Sequence, residues 1–189
     1  MNTNSNTNLF CDIVSQRSKE HTCAFNLLLQ QGLYGQVMSI LRQELDSMVR
    51  VMFLLSLQDI ELREHFICQT LNGQKWTYPN SKRIVTDKLM VDLAADLNGW
   101  SLFVYKLGCA FIHLSAMNYY KNSNPFLLLP ASERDDIKRF LNHYHGFSLE
   151  EELNVDTIIP YFDKVFDKVS SNLTYYIDEL RQGKCLEHY

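Results

Sequence analysis

Two stretches of this sequence carry residue types at spacings that could do chemistry. In ASERDDIKRFLNHYHG, Arg139, His143 and His145 stand near the end of a helical pattern. An imidazole can take the proton from a ribose 2′-hydroxyl while a guanidinium stabilises charge developing on the phosphate. Arg139 as phosphate clamp with His145 as base therefore suits metal-independent RNA cleavage. The plainer reading is a solvated helix end, where positive charge is favoured by the backbone dipoles. In NGWSLFVYKLGCAFIHLSAMNYY, residues 98–120, Tyr105, Cys109 and His113 recur one helical turn apart, with Ser115 close by. A His113 buried there would serve as a proton-transfer group or orient a partner from another helix. Alternatively it is a core histidine satisfied by a hydroxyl or carbonyl, since an unsatisfied buried polar group costs about 1–3 kcal/mol.

Two further sets are weaker. Arg17 and His21 fall near the centre of one apolar helix face, and Arg42 and Asp46 lie one turn apart at the border of another. With Tyr105 and Ser115 they read as a buried polar network that fixes helix orientation. Lys75, Trp76, Tyr78, Lys82 and Arg83 interleave basic and aromatic side chains, as single-strand binders do; the alternative is an ordinary exposed loop. His143 and His145 are two apart and face different ways on a helix, with no carboxylate or cysteine at a supporting spacing, so neither metal nor cofactor is expected. The sequence has no Gly-rich phosphate loop, HExxH or GxSxG.

The elements that must position these residues read as helices. Apolar periodicity predicts helices over about 9–31, 34–57, 59–71, 84–97, 98–120, 132–145 and 156–181, and no run of alternating residues reads as a strand. The stretch 98–120 holds one formal charge, Lys106, and is apolar all round, the signature of a central buried helix. It is long enough to cross a bilayer, yet it contains Lys106, His113, Ser115 and Asn118 and lacks basic flanks, so a soluble core helix is expected. Ser132 reads as an N-cap and Gly146 as a helix stop. The expected fold is all-α: a single bundle of six or seven helices over 9–182. The Asn/Thr/Ser-rich residues 1–8 should form a disordered tail, and 183–189 a C-terminal one.

Composition limits the function classes. The net charge of −4 gives no global attraction to nucleic acid, so RNA contact would need a local patch. Five cysteines without a CxxC pair argue for free thiols in a reducing compartment. With the polar amino terminus, which shows no secretory pattern, this points to the cytoplasm.

The segment GLYGQVMSILRQELDSMVRVMFLL resembles the second helix of HEPN-type helical proteins of bacteria and archaea, and YKLGCAFIHLS is similar to the Y-x-x-x-S-x-x-x-H-x-S helix of uncharacterised HEPN-like relatives. The two stretches cover only part of the chain. The resemblance implies a helical bundle that forms a homodimer. It also implies, for many members, ribonuclease activity in toxin–antitoxin or antiphage defence systems, with an antitoxin or defence partner and an R-x(4–6)-H site shared across the dimer. Arg139 and His145, with five residues between them, satisfy that spacing, whereas Arg17 and His21 do not. Phe140 departs from the polar residue the family prefers after the arginine. The alternative expectation is a non-catalytic helical interaction or scaffold protein whose buried polar residues only specify the fold.

Overall fold

The computed structural model describes residues 3–97 and 99–186. Residues 1, 2 and 187–189, and Asn98 at the start of the expected central helix, lie outside it. The chain forms α1 (Thr3–Gln30), α2 (Tyr34–Ser56), α3 (Ile60–Leu71), α4 (Asp87–Leu97), α5 (Ser101–Ile112), α6 (Ala131–His145), the single turn α7 (Val155–Ile158) and α8 (Phe162–Arg181). Three short 3-10 turns, Ala116–Tyr119, Pro125–Leu128 and Ile159–Tyr161, join them. Among the described residues there is no β-strand, only an isolated antiparallel bridge between Thr77 and Ile84. Among the described residues the architecture is all-α, with seven helices of eleven residues or more.

The organising element is α2, not the stretch 98–120. Fourteen of its 23 residues are buried, because it packs against α1, α4, α5 and α8 at once. Its second half, VRVMFLL, is apolar on nearly every side and can be satisfied only at the centre of the bundle. The longer partner helices show the one-sided stripe of peripheral elements. On α8, Phe162, Val165, Phe166, Val169, Leu173, Ile177 and Leu180 are buried at three- and four-residue spacing. Phe25 of α1 stacks on Phe166 of α8 with ring centroids 4.1 Å apart.

The expected central helix stops at Ile112. His113 has an extended backbone, ψ 143°, and Ser115 starts a new turn by accepting a hydrogen bond from the Met117 N–H at 3.2 Å. Ser115 also donates to the Ala110 carbonyl at 2.6 Å, and Asn118 Nδ2 donates to the His113 carbonyl at 3.0 Å. Short polar side chains thus take over the backbone groups that a continuing helix would have used. Only Ser101, Val104, Gly108 and Phe111 of α5 are buried. Four of its other apolar side chains, Leu102, Phe103, Leu107 and Ala110, border an open groove.

Other boundaries also shift. Residues 3–8 are helical, so α1 starts well before Leu9. The segment 183–186 is docked rather than a free tail. The Leu186 N–H donates to the Leu55 carbonyl at 2.8 Å, and Arg63 donates to the Lys184 carbonyl at 3.0 Å. Ser132 does not cap α6, which begins at Ala131 after Pro130. Gly146 does end α6, at φ 77°, with its own N–H on the Asn142 carbonyl and that of Phe147 on the Leu141 carbonyl. No described helix is long and apolar enough to cross a membrane.

Candidate functional site

The expected polar network divides into two, on different sides of α2. At the seam with α1, Glu44 is fully buried and accepts from His21 Nδ1 at 2.7 Å and from the Ser18 hydroxyl. The carboxylate fixes the imidazole proton on Nδ1, leaving Nε2 to accept from Arg17 Nε at 3.3 Å. Arg17 itself is exposed, not buried. Sequence reading missed Glu44, which lies two residues from both Arg42 and Asp46 and so points to the opposite side of the helix. Its signal was the near-total burial of α2, visible only once that helix is recognised as central.

At the seam with α5, Arg42 pairs with Asp46 and lies over the Tyr105 ring, its guanidinium carbon 4.1 Å from the ring centroid. Burial opposes the Arg42 charge, but the Asp46 carboxylate, and then Cys109, more than offset it and hold its pKa above the ordinary value. Gly108 makes this passage feasible: a Cβ there would stand 2.6 Å from the Arg42 Cβ and 2.9 Å from its Cδ. His113 and Ser115, expected beside this cluster, are instead exposed past the end of α5. His113 is therefore neither a buried proton-transfer group nor a core histidine.

The aromatic–basic loop does not present its tryptophan. Trp76 is 4% exposed, packed on Phe53 and Phe66, and its Nε1 donates to the Thr70 hydroxyl at 2.7 Å. Tyr78 is half-buried, edge-on to Phe66, with Arg83 over its ring at 5.3 Å. Lys75, Lys82 and Arg83 are exposed. A stacking platform for bases needs free ring faces, and Trp76 has none to give.

The remaining feature is a groove of about 460 Å³ between α5 and α6. The helices run antiparallel. Trp100 and Tyr144 mark one end, Phe103 and Phe140 stack across the middle with centroids 5.2 Å apart, and Ala110, Met117 and Leu129 mark the other end. The charged groups along it are Lys106, Glu133, Asp136 and Arg139, with His143 near Tyr144. Lys106 and Glu133 face each other across the groove at 4.0 Å, and Arg139 pairs with Asp136 at 2.6 Å. Both pairs are solvated, so they add little stability and leave the rim adaptable.

Arg139 and His145 do not meet within one chain. Arg139 belongs to the groove with His143. The His145 ring lies against Phe140 and Tyr161, at centroid distances of 5.9 and 6.4 Å. Its Nε2 is buried without a hydrogen-bond partner. Burial, with Lys168 and Lys164 nearby, pushes the imidazole pKa below its usual value. Among the described residues, no group of three or more His, Cys, Asp or Glu side chains could hold a metal.

Comparison with family models, curated proteins and solved structures finds no match to this chain.

Proposed function

We propose that the protein is a non-catalytic helical binding protein whose recognition surface is the α5–α6 groove. The observation that carries this reading is the groove's construction: apolar side chains along its length, with polar groups confined to a solvated rim. Its volume falls within the roughly 300–1,000 Å³ common for small-ligand sites, which are mostly apolar with a few convergent polar groups. Exposed apolar side chains continue past its Ala110 end, where Leu114 is 98% exposed and Leu127 and Leu128 are exposed as well. The test is titration with N-phenyl-1-naphthylamine, a neutral apolar dye. Saturable fluorescence enhancement is expected, abolished by Ala110→Trp in a variant that retains its helical circular dichroism. Enhancement indifferent to Ala110→Trp would refute the groove.

A second reading is the ribonuclease expected from the HEPN resemblance. One observation favours it: burial and the nearby Lys168 and Lys164 lower the His145 pKa, which favours the neutral imidazole that a general base requires. Because Arg139 and His145 diverge within one chain, that reading needs a homodimer in which the arginine of one copy serves the histidine of the other. Total RNA incubated with the protein and a chelator tests it. Cleavage lost in both Arg139→Ala and His145→Ala would support the shared site, and an antitoxin or defence partner would then be sought.

A further inference from the structure

The groove is electrically uneven along its length. Its two carboxylates, Glu133 and Asp136, are engaged by Lys106 and Arg139. At the Trp100–Tyr144 end the balance is different. Lys168, which is not itself a lining side chain, reaches from α8 to the two rings that close this end, its ammonium 3.3 Å from the Tyr144 ring centroid and 5.1 Å from that of Trp100. No carboxylate within 4.0 Å pairs with it among the described residues; its ammonium lies against the two rings, with the His145 imidazole nearby. His143 lines the same end, and Lys164 lies over Tyr161 just beyond.

A cation held over aromatic faces keeps part of its stabilisation there, but it lacks the opposite charge that most partly buried ammonium groups acquire. Lys168 is half-buried, and that burial, with no carboxylate to offset it, pushes its pKa below the ordinary value. An anionic oxygen at this end would supply the missing partner, while an alkyl body continued along Phe103, Leu107 and Ala110.

We propose that the α5–α6 groove takes an amphipathic anion, such as a medium-chain carboxylate, with its apolar chain along the groove and its charged head at Lys168. This inference rests on the groove being the binding site. The orientation follows from the charges: a head at the opposite end would meet Ala110, Met117 and Leu129, which offer no cation.

The experiment displaces N-phenyl-1-naphthylamine from the 189-residue chain with submicellar dodecanoate, dodecanol and dodecyltrimethylammonium. Dodecanoate should bind about ten- to a hundredfold more tightly than dodecanol, the gain expected from one charge-assisted contact, and the cationic chain most weakly. Lys168→Met keeps the apolar stem and should erase the dodecanoate advantage while leaving dodecanol unchanged. Lys168→Arg should restore most of it. Equal affinities for dodecanoate and dodecanol, both lost in Ala110→Trp, would overturn the anion proposal and leave the groove standing. Failure of every chain to displace the dye would overturn the proposal, and dye binding that also ignored Ala110→Trp would remove the groove with it.

Discussion

His145 is the residue whose surroundings make the clearest demand on pH. Burial comes first, and the ammonium groups of Lys168 and Lys164 add to it, so the folded imidazole takes a proton less readily than an unfolded one. An unperturbed histidine titrates near about 6.5. Below that pH the unfolded chain gains a proton that the folded chain resists, and stability falls with pH. The contribution is fully present above about 6.5 and is lost on acidification through the lowered folded value. Urea unfolding of wild type and His145→Phe at neutral and mildly acidic pH checks this. The wild type should lose more of its midpoint on acidification than the variant does, and parallel losses would show that His145 titrates as it does in the unfolded chain. Arg42 poses no such question, since a guanidinium stays charged throughout.

Among the elements, α5 is the most constrained, through Gly108. Alanine normally stabilises a helix by about 1 kcal/mol over glycine, yet at Gly108 its Cβ would overlap Arg42. Gly108→Ala should therefore lower stability by about 1–3 kcal/mol, as overpacked sites do. At Gly35, in the first turn of α2, the nearest atom to an added Cβ is a Tyr120 ring carbon at 3.6 Å, ordinary contact. Gly35→Ala should be neutral or mildly stabilising in the same denaturation assay; equal effects at the two glycines would deny the close approach of α2 and α5. Helix positions were largely legible in the sequence because apolar periodicity reports burial directly. Gly146 was legible as a stop because its left-handed conformation favours glycine. What misled was α5. An all-round apolar helix signals complete burial only when every side has a protein neighbour, and here Leu102, Phe103 and Leu107 face the groove instead. His113 was placed in the core for a second reason: the apolar pattern runs on past Ile112, where short polar side chains end the helix. The Glu44–His21 pair stayed hidden because pairing between helices depends on which faces meet, which no single-helix pattern contains.

For the whole molecule, closure around α2 depends on the end of the chain. Arg63 is 4% exposed at the start of α3. Its guanidinium donates to the Leu57 carbonyl at 2.7 Å, the Lys184 carbonyl at 3.0 Å and Cys185 Sγ at 3.0 Å. It thus ties the exit of α2 to the segment beyond α8, and the Leu186 N–H closes the same junction on Leu55. Removing residues 183–189 takes away two acceptors from a buried cation and the Leu186 donor to the Leu55 carbonyl. A buried polar group left unpaired costs about 1–3 kcal/mol, more when charged, so the truncated chain should lose at least that much unfolding free energy and unfold at lower urea. Its denaturant slope should hardly change, because few residues of buried surface leave with the segment. An unchanged midpoint would mean that water replaces these acceptors at no cost and that 183–186 rests on the bundle without holding it. A fall in midpoint matched by Arg63→Met in the untruncated chain would locate the loss at the guanidinium, since methionine keeps the apolar stem and removes the donors.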